Sequence, residues 1–328
     1  MKAAVYTRYG PPDVVQIADV EKPVPKDNEV LIRVRAASVN PFDWHFMRGA
    51  PYFLRIPAGL RKPKDTRLGV DVAGQVEAVG RNVTQFKSGD AVFGLCRGAF
   101  AEYVCTTELA LALKPDNVTF EEAASAPLAA LTALQGLRDK GHIQPGRKVL
   151  INGAAGGVGT FAAQIAKSFG AHLTGVCSTR NVEMVRSIGA DRVIDYTQED
   201  FTKSGQLYDL ILDCVGNHSL SACRRVLNPK GIYAAVGGPT GRWMMGFLAR
   251  LITMLVLSRF ASQELVMVQT KRSEADLIAI RGLMEAGKIR PVIDRRYRLS
   301  EVREAIRYLE EGHARGKVVI TLGHEIKT

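Results

Sequence analysis

Several patterns are missing from this chain, and each absence excludes a class of protein. Its five cysteines (Cys96, Cys105, Cys177, Cys214 and Cys223) form no Cys-x-x-Cys pair. Neither a disulfide framework nor a cysteine-rich metal site is expected, and a reducing compartment is. No apolar run reaches the roughly 20 residues that a spanning helix needs. The nearest candidate, Trp243 to Leu257, is too short and is interrupted by Arg250. Met1-Lys2-Ala3-Ala4-Val5-Tyr6 reads as a strand, with no apolar core or cleavage site of a signal peptide behind it. The expected location is the soluble cytoplasm. Net charge is +11, from 44 Lys and Arg against 33 Asp and Glu, yet no basic run is interleaved with aromatics. A solvated basic surface is therefore favoured, and nucleic acid is not an expected partner.

What is present is a chain of 328 residues, 46% hydrophobic and 23% charged, long enough for two domains with ample cores. The first part is β-rich. Alternating runs such as Glu29-Val30-Leu31-Ile32-Arg33-Val34-Arg35 and Gly74-Gln75-Val76-Glu77-Ala78-Val79-Gly80 lie between Pro, Gly and Asp-Asn turns. From Glu121-Glu122-Ala123-Ala124 a helical stretch runs through Leu137, after which strands and helices alternate. Parallel strands are expected at Val149–Asn152, Leu173–Cys177, Arg192–Asp195, Leu210–Val215, Ile232–Val236 and Leu265–Val268, whose apolar composition fits burial on both faces. Six such strands match a doubly wound sheet. Helices at Asp276–Gly287 and Glu301–Gly312 and a strand at Lys317-Val318-Val319-Ile320 exceed that sheet, so they are expected to return to the first unit. The expected architecture is α/β, with a domain at 1–121 completed by 270–328 and a six-stranded parallel domain at 122–269. No internal repeat or low-complexity segment is visible.

The most informative stretch is Lys148-Val149-Leu150-Ile151-Asn152-Gly153-Ala154-Ala155-Gly156-Gly157-Val158-Gly159. A β-branched run enters a glycine-rich turn, and an amphipathic segment follows with Val158, Phe161, Ile165 and Phe169 on one face. Strand, turn and helix in that order make an Ala-x-Gly-x-x-Gly fingerprint credible as a dinucleotide site. Small residues from Ala155 to Gly159 let backbone approach a pyrophosphate, and the helix N-terminus presents N–H groups to it. The next strand ends in Ser178-Thr179-Arg180, where NAD-binding chains usually carry an acid. A cation and hydroxyls suit a 2′-phosphate, so NADPH is the expected cofactor.

The chain as a whole resembles the medium-chain dehydrogenase/reductases, in their zinc-free, quinone-oxidoreductase-like branch. The resemblance rests on Ala36-Ala37-Ser38-Val39-Asn40-Pro41, Gly69-Val70-Asp71-Val72-Ala73-Gly74, Gly89-Asp90-Ala91-Val92-Phe93-Gly94, Gly98-Ala99-Phe100-Ala101-Glu102-Tyr103-Val104 and Ala154-Ala155-Gly156-Gly157-Val158-Gly159, in this order. It implies a GroES-like catalytic domain beside a Rossmann domain, with cofactor and acceptor meeting in the cleft. Zinc-bearing relatives place a Cys ligand where this chain has Asn40, and Gly-His-Glu where it has Gly69-Val70-Asp71. Asn and Val are not zinc donors, and the Cys-rich lobe of those relatives is missing. No metal is expected, and the implied reaction is hydride transfer from NADPH to a quinone or an α,β-unsaturated carbonyl.

The same resemblance assigns residues. Asn40 matches an asparagine beside the nicotinamide that hydrogen-bonds a substrate carbonyl, against the plainer reading of a turn residue before Pro41. Thr132 faces the reactive end of the cofactor, or else is a buried helical Thr bonded to its own backbone. Ser178, Arg180 and Tyr196 resemble the family's 2′-phosphate set, although many relatives carry Lys in place of Arg180. Val215 and Val236-Gly237-Gly238 fall at the carboxyl ends of strands, where ligands lie. Lys317, after Gly316, matches a closing segment on the nicotinamide side, with an exposed lysine as the alternative. Tyr52 and His45 are the weakest candidates, as proton donors to a developing enolate. The apolar insertion Arg242–Arg259 is read as a lid shared with a homodimer interface, in preference to membrane contact through 243–257. The rival functions are a zinc-free NAD(P)-dependent alcohol dehydrogenase and a non-catalytic NADPH- or RNA-binding protein.

Overall fold

The computed structural model describes residues 1–236, 253 and 262–323. Its strands in chain order are β1 (Lys2–Tyr6), β2 (Val15–Asp19), β3 (Glu29–Val39), β4 (Asp71–Val79), β5 (Ala91–Leu95), β6 (Tyr103–Thr107), β7 (Leu111–Leu113), β8 (Lys148–Asn152), β9 (His172–Cys177), β10 (Arg192–Asp195), β11 (Tyr208–Asp213), β12 (Leu227–Ala235), β13 (Glu264–Met267), β14 (Ile293–Arg298) and β15 (Lys317–Thr321). They divide between two compact units. One holds Met1–Leu128, Arg272–Gly287 and Pro291–Thr328; the other holds Ala129–Lys271 and Lys288–Arg290.

The first unit is built on β3. This strand pairs antiparallel with β4 along most of its length, with β6 near its start and with β15 near its end, where Val318 faces Val39 and Ile320 faces Ala37. The sheet runs β14-β15-β3-β4-β5-β7, with β6 on β3. Strand β3 is buried almost throughout, because its inward Val30, Ile32, Val34 and Val39 meet Val72, Val76, Val92 and Val104 from neighbouring strands. Register shifts along β3 and β4 bend the pair. Gly74 is needed there, since a Cβ at that position would lie 2.2 Å from the Arg33 carbonyl oxygen. The C-terminal elements do return: Val302, Ala305 and Ile306 of the helix Val302–Glu310 join the same core as Val318 and Ile320.

The second unit is one parallel sheet in the order β10-β9-β8-β11-β12-β13. Each of the six expected strands is present. The chain winds outward from β8 in one direction and from β11 in the other, so the strand order reverses between them, which is where open α/β sheets bind ligands. Val149, Leu150 and Ile151 of β8 and Leu210, Ile211 and Leu212 of β11 are wholly buried, as strands covered on both faces must be.

The region 120–140 departs from the expected single helix. Thr119 caps a helix at Phe120–Ser125, accepting from Glu122 N at 3.2 Å while the Glu122 carboxylate takes Thr119 N at 2.7 Å. Pro127, which has no N–H to give, opens a new helix at Pro127–Gln135, and a wider π-turn follows at Gly136–Lys140. The helix Phe120–Ser125 packs on β3 and β4, so the first unit runs to Leu128, not 121. Gly237, Gly238 and the apolar 243–257 segment lie outside the described residues. Among the described residues no helix is long and apolar enough to cross a membrane, and all five cysteines are unpaired thiols.

Because β15 carries part of the first unit's core, Ile320→Ala should destabilise the chain by about 2–5 kcal/mol. Urea unfolding followed by intrinsic fluorescence measures it, and a loss below about 1 kcal/mol would contradict a closing strand in that core.

Candidate active site

In the second unit, the turn after β8 explains how Ala154 stands where a first fingerprint glycine usually does. The left-handed residue is Gly153, with φ +85°, one position earlier than the fingerprint suggests. Gly153 N and Ala154 N both donate to Val176 O, at 3.2 and 3.0 Å. The remaining glycines serve different ends. A Cβ on Gly159 would meet Gly153 O at 2.1 Å, so this glycine allows the helix Gly157–Ser168 to close on the turn. A Cβ on Gly156 would meet only Gly153 O, at 3.4 Å, and otherwise projects into open space. Gly156 caps the helix with no side-chain acceptor, and Gly157 and Val158 in the first turn are partly exposed. A helix N-terminus without a side-chain cap, beside open space, is an arrangement that suits an anion.

Next to it lies a buried network that the sequence reading missed. Asp213, at the end of β11 and 1% exposed, accepts from Asn152 Nδ2 (2.9 Å), Val215 N (3.0 Å) and Gly216 N (2.8 Å), and its second oxygen accepts from the Tyr233 hydroxyl. Asn152 also donates to Asn217 Oδ1 at 2.9 Å. The carboxylate therefore ties the end of β8 to the loop after β11 and to β12. The available signal was a lone polar residue closing each of two apolar strands.

The structure brings Ser178 and Tyr196 together, because β9 and β10 are parallel neighbours with Asp195 opposite Cys177, and Tyr196 N donates to Cys177 O at 3.0 Å. Arg180 and Tyr196 are exposed, and Ser178 is half-buried. Asn181, 6% exposed, donates from Nδ2 to Ser178 Oγ at 3.1 Å. Val215 and Val236 follow β11 and β12, with Val236 N donating to Asp213 O at 2.9 Å. Thr132 is buried, but its hydroxyl lies 2.7 Å from Thr270 Oγ1, a partner beyond its own helix.

In the first unit, β3 ends in Ser38-Val39-Asn40 and Pro41 opens the helix Pro41–Arg48. Both amide protons of Asn40 are taken within the chain, by Asp71 Oδ2 at 2.9 Å and Ser38 O at 3.2 Å, while its Oδ1 accepts from Lys317 Nζ at 2.6 Å. The expected donor to a substrate carbonyl is thus already spent. Asn40 serves instead to orient its neighbours. Lys317, read either as a cofactor contact or as an exposed lysine, is 3% exposed and lies 3.5 Å from Asp71 Oδ2. Asp71 also accepts from Ser38 Oγ (2.7 Å) and, on its other oxygen, from Leu128 N (2.9 Å), the first turn of the helix that Pro127 opens.

Asp43 completes the cluster, accepting from Asn40 N at 2.8 Å and Gly69 N at 3.1 Å. Burial pushes its carboxyl up to about 7, helped by nearby Asp71 and opposed by those N–H donors and Lys317. Burial likewise pushes the Lys317 ammonium down, against the pull of Asp71 and Asp43.

His45 bonds through Nδ1 to Ala50 O at 2.8 Å, which assigns the proton to Nδ1, and burial lowers its affinity for a second one. It is a poor proton donor near neutral pH. Tyr52 is half-buried, with the Arg55 guanidinium 4.8 Å from its ring centre. Among the described residues no group of three or more His, Cys, Asp or Glu side chains is placed to hold a metal ion.

The family described as "Alcohol dehydrogenase GroES-like domain" matches residues 26–116, and that described as "Zinc-binding dehydrogenase" matches 188–320. Positions 40 and 70, at which the resemblance sets zinc donors in other members, are Asn and Val here, neither of them a zinc donor. The chain is 33% identical to the chloroplast envelope quinone oxidoreductase homolog of Arabidopsis thaliana, over 98% of each chain. It is 35% identical to the NADPH-dependent alkenal/one oxidoreductase of the same plant, over 98% of this chain and 79% of that one. The quinone oxidoreductase of Coxiella burnetii superposes with a TM-score of 0.86 at 30% identity, over 98% and 99% of the two chains.

Two predictions follow from this geometry. Gly156→Ala should leave stability within about 0.5 kcal/mol while weakening binding of a nicotinamide dinucleotide about tenfold. Gly159→Ala should destabilise the fold by about 1–3 kcal/mol. Calorimetry with and without cofactor separates the two, and equal behaviour would mean the cradle is misplaced. In the first unit, Lys317→Met should cost about 3–5 kcal/mol by stranding the Asp71 carboxylate, and adding Asp71→Asn should recover much of it. Additive losses in the double variant would show that the pair is not coupled.

Proposed function

The chain belongs to the medium-chain dehydrogenase/reductase family, in its quinone-oxidoreductase-like branch, and from that premise we propose that it reduces quinones or α,β-unsaturated carbonyls with NADPH and without a metal. The observation that carries the proposal is the pairing of an open glycine cradle at Gly156 with a half-buried hydroxyl and an exposed guanidinium at Ser178 and Arg180. When bound, NADPH supplies the hydride. Residues Ala155 to Gly159 would hold its pyrophosphate, Thr132, Val215 and Val236 would contact the nicotinamide half, and Ser178, Arg180 and Tyr196 would take the 2′-phosphate.

Preference for the phosphorylated cofactor has a specific cause. Ser178 Oγ accepts from the Asn181 amide, which uses one lone pair of the hydroxyl and leaves its O–H to donate. Asp195, opposite Cys177 on the neighbouring strand, is committed to Thr179 and Thr197, which hold its carboxyl below its ordinary range. Arg180 then provides the bidentate donor that a phosphate monoester favours.

With Asn at 40 and Val at 70, the chain offers no Lewis acid to polarise a simple ketone or alcohol. A conjugated acceptor disperses the incoming charge itself, which leaves the protein the tasks of placing it and delivering a proton. Tyr52 is the residue we assign to that proton. The relatives' names support both acceptor types. Five unpaired thiols favour a reducing compartment such as the cytoplasm. Strand β13, at the edge of its sheet, is the surface through which we expect two copies to pair.

NADPH oxidation against a panel of quinones, enals and saturated ketones should show turnover on the first two only, with no stoichiometric zinc in the purified protein. Arg180→Ala should weaken NADPH about 10- to 100-fold and NADH within about twofold; equal losses with both would remove Arg180 from the phosphate site. Tyr52→Phe should lower kcat about 100-fold with little change in KM. An unchanged kcat would take Tyr52 out of the mechanism.

A further inference from the structure

Between Asp43 and Asp65 the chain carries no acidic residue, yet it carries Arg48, Arg55, Arg61, Lys62 and Lys64. Two of these cations are committed inward. Arg48 pairs with Glu310, and Arg55 donates to Gly49 O at 2.9 Å while lying over the Tyr9 and Tyr52 rings. Arg61, Lys62 and Lys64 are exposed and have no ion-pair partner among the described residues. Beside them stand Ile56, 69% exposed, and Leu60, 70% exposed.

The loop that presents these five side chains is tied down. Gly59 N donates to Arg55 O at 2.7 Å, Lys64 N to Ala58 O at 2.8 Å, and the Tyr9 hydroxyl to Gly59 O at 2.6 Å. A Cβ at Gly59 would fall 2.1 Å from Lys62 O, so the turn is tight as well. Single exposed aliphatics are common on soluble proteins and need no explanation. Two of them four residues apart, on a fixed loop ringed by unpaired cations, are a different matter.

We propose that the tip formed by Ile56, Leu60, Arg61, Lys62 and Lys64 docks this chain reversibly on an anionic lipid surface. The aliphatic side chains enter the headgroup boundary and the three cations meet lipid phosphates, the combination that marks peripheral membrane contact. A second copy of the chain fits this surface poorly. A two-fold contact would set the three cations against themselves with no acid in the segment to answer them. A nucleic acid is disfavoured because the exposed apolar groups are aliphatic, with no aromatic at the tip for bases to stack on.

The experiment is flotation of the purified chain with phosphatidylcholine vesicles, with and without phosphatidylglycerol, at low and high salt. Binding should require the anionic lipid and fall about tenfold or more at high salt or in Arg61→Glu/Lys62→Glu/Lys64→Glu. Ile56→Ser/Leu60→Ser should weaken it further at fixed charge. Both variants should keep wild-type turnover with a water-soluble quinone, which separates a failure of docking from a failure of the catalytic reading. Equal binding to neutral vesicles, or anionic binding untouched by either variant, would overturn the proposal. So would a change in oligomeric state in Ile56→Ser/Leu60→Ser, or single-stranded RNA bound as tightly and lost in the same charge variant.

Discussion

A carboxylate that gives up its water must have its lone pairs filled by the chain, and each unit is arranged around one such group. In the first unit it is Asp71, where β4 begins, facing Ser38, Asn40, Lys317 and the backbone of Leu128. In the second it is Asp213, where β11 ends, facing Asn152, Tyr233 and the backbone of Val215 and Gly216. Each acid gathers segments that lie far apart in sequence. Losing a donor to a buried acid costs more than the bond's net worth, because the oxygen left behind cannot recover its water. Both networks are therefore all-or-none, and they fix the turns on which the candidate site depends.

The two acids are neutralised differently, and the difference bears on chemistry. The Asp213 oxygens accept from Asn152, from the Tyr233 hydroxyl and from the backbone of Val215 and Gly216, which holds the loop after β11 in place. Asp71 has an ammonium within 3.5 Å, and Asp43 beside it has its carboxyl pushed up to about 7. The corner around Asn40 thus has its positive charge on Lys317, already engaged by Asn40 and Asp71. A cation so engaged balances charge but has little left with which to polarise a substrate oxygen.

Much of this was legible in the residues. Strand positions in the parallel sheet followed from apolar runs between turns, since strands covered on both faces leave an unbroken pattern. The return of the C-terminal strand followed from an excess of elements over what one doubly wound sheet accommodates. Three things were not legible. Pro127 splits a helix whose composition is helical on both sides, and sequence pattern alone did not place the domain boundary after it. Gly153, not Ala154, takes the left-handed turn, because a fingerprint records spacing and not which φ is positive. Asn40 looked like a substrate ligand because its partners Asp71 and Lys317 are 31 and 277 residues away, and only pairing of β3 with β4 and β15 brings them within reach.

The same limit governs the cofactor corner. Sequence motif reading looks for an acid or a base where β9 ends and finds Arg180 after two hydroxyl residues. Taken alone, Ser178 and Thr179 are equivalent donors. In the fold they are not: the Thr179 hydroxyl lies 3.0 Å from that of Thr197 and binds Asp195, while Ser178 Oγ accepts from Asn181 Nδ2. Ser178 and Thr179 thus differ in the partners they already hold, a difference that spacing along the strand does not record.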